Sequence, residues 1–241
     1  MKTLILGCLL IVVTAVSCRN NNIPEVSDPG ISYFTMDSGT IWNYESYNNI
    51  DSVYKNYILT ATGTDTTISS KVYRIFTHVD TSGATSLEFY NTSVNNYFQF
   101  AKLSSQIPAT ELKYLVNNVD LGASWDQALN ITQAQSGITV NFNGTLRYTI
   151  ESKGDTITVG NNFYTNIIKV RTDIINPTIT SSLGIPISVE PITQDMYAYF
   201  APKYGLVKRD FQLNIDINIL GSIQNVVSTN ISTNLLSSSI Q

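Results

Sequence analysis

His78 is the single histidine of the chain, so it limits the acid–base chemistry the sequence can offer. Any Ser–His–Asp arrangement must pass through it, and no G-x-S-x-G elbow accompanies it. In KVYRIFTHV the alternation puts His78 on a polar strand face with Arg74, opposite Tyr73 and Ile75, which predicts a solvated histidine. Glycoside hydrolysis needs two carboxylates about 5 to 10 Å apart, one with a raised pKa. Glu45, Glu88, Glu111, Glu151 and Glu190 are available; Glu88 in SLEFYN, flanked by aromatics, is the best placed, yet it reads as a solvent-facing strand residue. There is no H-E-x-x-H, no cysteine pair and no EF-hand spacing, and Asp51, Asp65, Asp80, Asp155 and Asp173 are scattered over turns and strand ends. Phosphate loops and dinucleotide fingerprints are absent. The expectation is a protein without catalytic residues, metal or cofactor.

Aromatic residues are the remaining chemical resource. Trp42, Tyr44, Tyr47, Tyr54 and Tyr57 fall in the first predicted strands, and Phe89, Tyr90, Tyr97, Phe98 and Phe100 follow. Neighbouring pairs such as Phe89-Tyr90 and Tyr97-Phe98 must send one ring to each face of a strand. On a curved sheet the concave rings would line a cavity for a hydrophobic ligand; on a flat one, exposed rings would stack on sugars. Trp42, Tyr44, Phe89, Tyr97 and Trp125 are the candidate ligand residues. The opposing expectation is that most of these rings fill a core.

The elements that must carry them are strands. In FQLNIDINI, Phe211, Leu213, Ile215, Ile217 and Ile219 alternate with polar residues, giving one dry and one wet face. GITVNFNGTLRYTIES and KGDTITVG predict a long hairpin turning at Lys153-Gly154-Asp155, and ATGTD and DTSGA read as further turns. ATELKYLVNNV is the best helix candidate and equally acceptable as a strand. The 14 tyrosines, with abundant Thr, Ile and Val, suit half-buried pleated surfaces. The fold class is therefore all-β, or mainly β with minor helix: an antiparallel curved sheet forming a half-open barrel or a sandwich. Residues 176 to 191, NPTITSSLGIPISVEP, contain three prolines and predict a long connection. The two tryptophans stand in GTIW and GASW, a short echo of a glycine turn entering a strand.

At 241 residues with charged residues at 13%, the chain has the size of one domain. Its net charge of −4, without a Lys/Arg cluster, argues against nucleic acid and against a basic patch for an anionic membrane. At the N-terminus Lys2 precedes an apolar run from Leu4 to Val13, too short to span a bilayer, where about 20 residues are needed, but right for a secretory signal. Ala15-Val16-Ser17-Cys18 resembles the lipobox of bacterial lipoproteins. That resemblance implies cleavage before Cys18 and diacylglycerol on its thiol, with the new amino group acylated too. Two chains anchor stably where one does not. Cys8 lies within the segment to be removed, so no disulfide is expected. Losing Lys2 takes the charge from −4 to about −5.

This divides the chain into a signal (1–17), the lipidated Cys18 with a flexible tether (18–31), and one β-rich domain (32–241). Arg19 and the asparagines after Cys18 stand where some Bacteroidota lipoproteins carry an acidic surface-export run, which points to the periplasmic face. YFTMDSGTIWNYES, LGASW and APKYGLVKRDF resemble an uncharacterised set of Bacteroidota lipoproteins with an aromatic–Gly–x–x–Trp–x–Tyr opening and a Gly-Leu-Val-Lys closing strand. The resemblance implies an exported all-β domain and brings no catalytic residues. The leading expectation is a lipid-anchored envelope module that binds a hydrophobic or glycan ligand or a protein. The alternatives are a structural subunit of an envelope complex and an envelope glycan hydrolase.

Overall fold

The computed structural model describes residues 31–101, 109–135, 138–184 and 186–240. Cys18, the signal and nearly all of the tether lie outside the described residues. The described chain is strands and their connections. They are β1 (Ile41–Asn48), β2 (Val53–Ile68), β3 (Lys71–Asp80), β4 (Thr85–Ser93), β5 (Asn96–Ala101) and β6 (Thr110–Val116). After a loop come β7 (Ser124–Gln135), β8 (Ile138–Val159), β9 (Asn162–Ser181), β10 (Ile187–Val189), β11 (Thr193–Ala201), β12 (Gly205–Ile219) and β13 (Ser222–Ser238).

All pair antiparallel in one 13-stranded sheet, in the order β6-β5-β4-β3-β2-β1-β13-β12-β11-β9-β8-β7, with β10 beside β12. The sheet curls until it is nearly a closed barrel, the half-open form of the sequence expectation. Tyr114 of β6 meets Phe200 of β11 across the interior, ring centroids 5.5 Å apart. The alternating residues of β12 behave as their pattern requires, with Leu213, Ile215 and Ile217 buried on the inner face.

Two meanders make up this sheet. The first runs from β1 to β6, the second from β7 to β13, and each opens with the same turn. In the first, Gly39 N donates to Ala61 O at 2.8 Å, Ala61 N to Thr40 O at 2.9 Å and Thr40 N to Asp37 O at 3.1 Å. In the second, Gly122 N donates to Ile150 O at 2.8 Å, Ile150 N to Ala123 O at 2.9 Å and Ala123 N to Asp120 O at 3.1 Å. Gly39 and Gly122 take φ of 81° and 82°, a conformation open to glycine at little cost. The echo of GTIW in GASW is therefore a repeated Asp-x-Gly-x-x-Trp entry, and each entry leads its tryptophan inward.

The meanders meet twice, and differently. β1 and β13 form a ladder from Trp42↔Ser238 to Asn48↔Ile231, with one bulge between Asn43 and Tyr44. β6 and β7 share no ladder and are joined by side chains. Trp125 Nε1 donates to Lys113 O at 2.7 Å, and the Gln127 amide both donates to Glu111 O and accepts from Lys113 N. An amide side chain here takes the place of a backbone partner.

One end of the barrel is filled. Tyr33 N donates to Tyr97 Oη at 2.8 Å, Tyr33 Oη to Asn166 O at 2.8 Å and Lys203 N to Ser32 O at 2.7 Å, so the segment before β1 crosses between opposite walls. Phe34 inserts among Trp42, Phe76 and Tyr90, with ring centroids 5.1 to 5.3 Å away. Among the described residues no segment crosses the other end, which forms a mouth.

Several sequence expectations are corrected. Lys153-Gly154-Asp155 is not a turn: β8 runs straight through it, with register shifts either side of Asp155 and Gly154 at φ 80°. ATGTD is likewise a bulge inside β2, with Gly63 at φ 77°. A positive-φ glycine suits a bulge as well as a turn, and pairing with a long neighbouring strand decides between them. Of the two readings left open for ATELKYLVNNV, the strand is the one found, as β6. Within residues 176 to 191, positions 176–181 complete β9 and Ile187–Val189 form β10, so the connection is shorter than expected. Pro177 is tolerated in β9 because beyond Thr172 that strand pairs only with β8, and Asn176 at φ 51° marks a bulge.

Candidate functional site

The inner wall changes character along its length. Near the closed end it is apolar, and Trp42, Tyr44 and Tyr97 lie in it, exposed by no more than 4%. Towards the mouth it becomes polar. Register sets which residues face inward there: buried Phe76 pairs with Glu88, Arg74 with Tyr90, and Tyr90 with Gln99. His78, two residues from Phe76, falls on the same face.

Glu88 is the centre of this group. His78 Nδ1 lies 2.7 Å from Glu88 Oε1, while Tyr90 Oη donates to Oε2 at 2.5 Å and Gln99 Nε2 to Oε2 at 3.1 Å. Burial pushes the Glu88 carboxyl up, but the hydrogen bonds from His78 and Tyr90 outweigh it and hold it below the usual range. Glu88 is thus an acceptor for a proton on His78 Nδ1, and Nε2 has no protein partner among the described residues. Arg209, on β12 across the interior, contributes to the same stabilisation.

The His78 ring is held by stacking. Tyr57 lies over it at 4.4 Å between centroids and 10° between planes, and Tyr44 stacks on the other side of Tyr57 at 5.1 Å and 19°. Burial pushes the Tyr57 phenol up to about 12, with Arg209 opposing and Glu88 adding to the effect. Tyr44 and Tyr90 are raised further, again chiefly by burial. These phenols are neutral donors at physiological pH. Tyr44 spends its proton on Leu206 O at 2.8 Å. The stacked faces cover one another, so the rings offer their edges to the mouth.

His78 and Glu88 are therefore neither the surface histidine nor the outward-facing strand residue of the sequence reading. Their polar face is the inside of the barrel. The side chains are 26% and 23% exposed, which leaves them open to solvent through the mouth. The signal that would have found them is the clash between the SLEFYN alternation and the need to put Tyr90 in a core.

Of the candidate ligand residues, Trp42, Tyr44 and Tyr97 belong to the core, and Trp125 packs against it, stacked on Tyr148 at 5.5 Å. Phe89 stands apart. It pairs with Ile75 and Phe100 and points to the opposite face of the sheet. On that face a depression of about 420 Å³ is lined by Lys71, Tyr73, Phe100 and Glu111, and one of about 320 Å³ lies by the β6–β7 junction. No group of His, Cys, Asp and Glu among the described residues could hold a metal ion.

The fold is shared with a solved structure. A protein of Parabacteroides distasonis ATCC 8503, described as a candidate lipoprotein, superposes with a TM-score of 0.50 at 14% identity, over 87% of this chain and 99% of that one. A candidate exported protein of Bacteroides fragilis NCTC 9343 with a YmcC-like fold gives 0.42 at 9% identity, over 88% and 100%. The first likeness shows a common fold, an antiparallel barrel left nearly closed. No protein-family model and no curated protein matches the chain at a significant level.

Proposed function

We propose that this is a non-catalytic envelope module, held at the periplasmic leaflet by lipid on Cys18, whose barrel mouth binds a polar, hydroxyl-bearing ligand such as a glycan. The observation that carries this reading is the Glu88–His78–Tyr57 arrangement facing Arg209 in an open mouth. A carboxylate has about four lone-pair sites, and three hydrogen bonds already reach Glu88. Glu88 then offers acceptor sites, and Arg209 offers donors. A neutral polyol supplies both partners at once. An acyl chain would strand these charges without partners, which burial penalises. The hydrogen bonds that reach Glu88 come from His78, Tyr90 and Gln99 and none from a second carboxyl group.

Native mass spectrometry of the Cys18→Ala protein, purified from the periplasm, tests this. A glycan-sized adduct that disappears in Glu88→Gln supports the reading, and a lipid-sized adduct or none sinks it. A second reading, a subunit of an envelope complex, is favoured by β7, which beyond Gln127 has no strand partner on one edge among the described residues. Such an edge recruits a partner strand. A bare mass together with photo-crosslinks from exposed Asn130 would select it.

A further inference from the structure

We infer that the closed end of the barrel rests on the bilayer, so that the mouth is turned away from it. This rests on lipidation of Cys18. Ile31, where the described chain begins, lies at the closed end, its carbonyl held by Asn117 Nδ2 at 3.1 Å. From there back to Cys18 is a stretch of about a dozen residues, and the random-coil span for that number of residues is on the order of 20 Å. The anchor therefore presents this end to the membrane at high local concentration, where a weak surface affinity suffices.

Large apolar side chains stand at the turn tips of this end. Ile31 is 41% exposed, Val94 of the β4–β5 turn 86%, Leu121 of the β6–β7 loop 65% and Phe163 beside the β8–β9 turn 66%. The mouth also carries apolar tips, Ile50, Leu183 and Leu220, so exposure does not choose between the ends. Charge does. Around the closed end, among the described residues, Lys71, Lys153 and Lys203 stand against Asp37, Asp120, Asp155 and Glu111, the last paired with Lys71. Around the mouth Asp51, Asp80, Glu190 and Asp216 face Lys55 and the inward Arg209. An anionic lipid surface repels the acidic mouth more than the nearly balanced closed end.

The test uses the full lipidated chain reconstituted in vesicles of phosphatidylethanolamine and phosphatidylglycerol. Cys18 is blocked as a thioether and Cys8 is lost with the signal, so an introduced cysteine is the one thiol available to an environment-sensitive dye. Val94→Cys, Leu121→Cys and Phe163→Cys should each brighten and shift to the blue on reconstitution, whereas Leu220→Cys should keep its emission in water. Intact mass first establishes the acyl chains, and an unacylated chain overturns the anchoring reading together with this one. An acylated chain with water-like emission at all three closed-end sites, or with Leu220→Cys shifted instead, overturns this inference alone. Closed-end shifts that require an added envelope protein also overturn it, assigning the surface to that protein.

Discussion

The indole of Trp42 donates to the backbone carbonyl of Tyr204 at 2.9 Å, joining the first strand's entry to the turn before β12. Both belong to the sequence segments that carry the family resemblance, so those segments are spatial neighbours. Trp42 is fully buried, and Trp42→Phe leaves the Tyr204 carbonyl without this donor at a cost of about 1–3 kcal/mol. Trp125 makes the same kind of bond to Lys113 at 2.7 Å from a partly exposed position, and its phenylalanine variant should lose less. Urea unfolding of the two variants gives the order.

Gly205 follows that turn at φ 73°, and a Cβ there would lie 2.6 Å from a carbon of the Phe34 ring. Gly205→Ala combines backbone strain with overpacking, each on the order of 1–3 kcal/mol. A melting temperature well below that of Gly221→Ala is expected. Gly221 shares the positive φ at 87°, but a Cβ there would meet nothing.

Glu88 gives stability a pH dependence. Its folded pKa is lowered from an ordinary value near 4.5, so the stabilisation is fully present above that value. It is lost as pH falls through the folded pKa. Asp80, Glu111 and Asp126 are lowered too and act in the same direction. Glu88→Gln should therefore be less stable than the parent at pH 7, and its urea midpoint should fall less steeply between pH 5 and 3 (roughly the window in which such carboxylates protonate). A slope equal to the parent's would remove Glu88 from this role.

The β6–β7 junction should open without the rest of the barrel. Gln127→Ala removes both bonds of the amide and leaves the Lys113 N–H without its side-chain acceptor. Amide hydrogen exchange at Lys113 should speed up by about ten-fold or more, the equivalent of about 1.4 kcal/mol. Amides of the β1–β13 ladder should keep their rates.

Strand character was legible wherever one face is dry and the other wet, as in Phe211 to Ile219. The glycine turns were harder. Gly39 and Gly122 open strands as expected, whereas Gly63 and Gly154 sit in bulges, and local chemistry is the same in both settings. What separates them is the length of the partner strand, which no short window contains. The candidate site was obscured for a related reason. Alternation places His78 and Glu88 on a polar face, but a polar face points to bulk water only when the sheet is flat. Curvature turns that face inward, and curvature comes from strand order and bulges across the whole chain. The rings of Phe89-Tyr90 and Tyr97-Phe98 do divide between the two faces as their adjacency demands, with Tyr90 and Tyr97 inward and Phe89 and Phe98 outward.

The ladder between β1 and β13 has a consequence for how the molecule is made. Synthesis delivers β1 first among the strands and β13 last, yet the two are direct neighbours. Until β13 arrives, β1 carries an open edge competent to pair with any passing strand. Closure of the barrel is therefore a late, long-range event, of the kind that folds slowly and exposes intermediates to aggregation. A chain stopped before Ser222 would hold the first meander with both outer edges unladdered, and it is this fragment that envelope chaperones and proteases would meet.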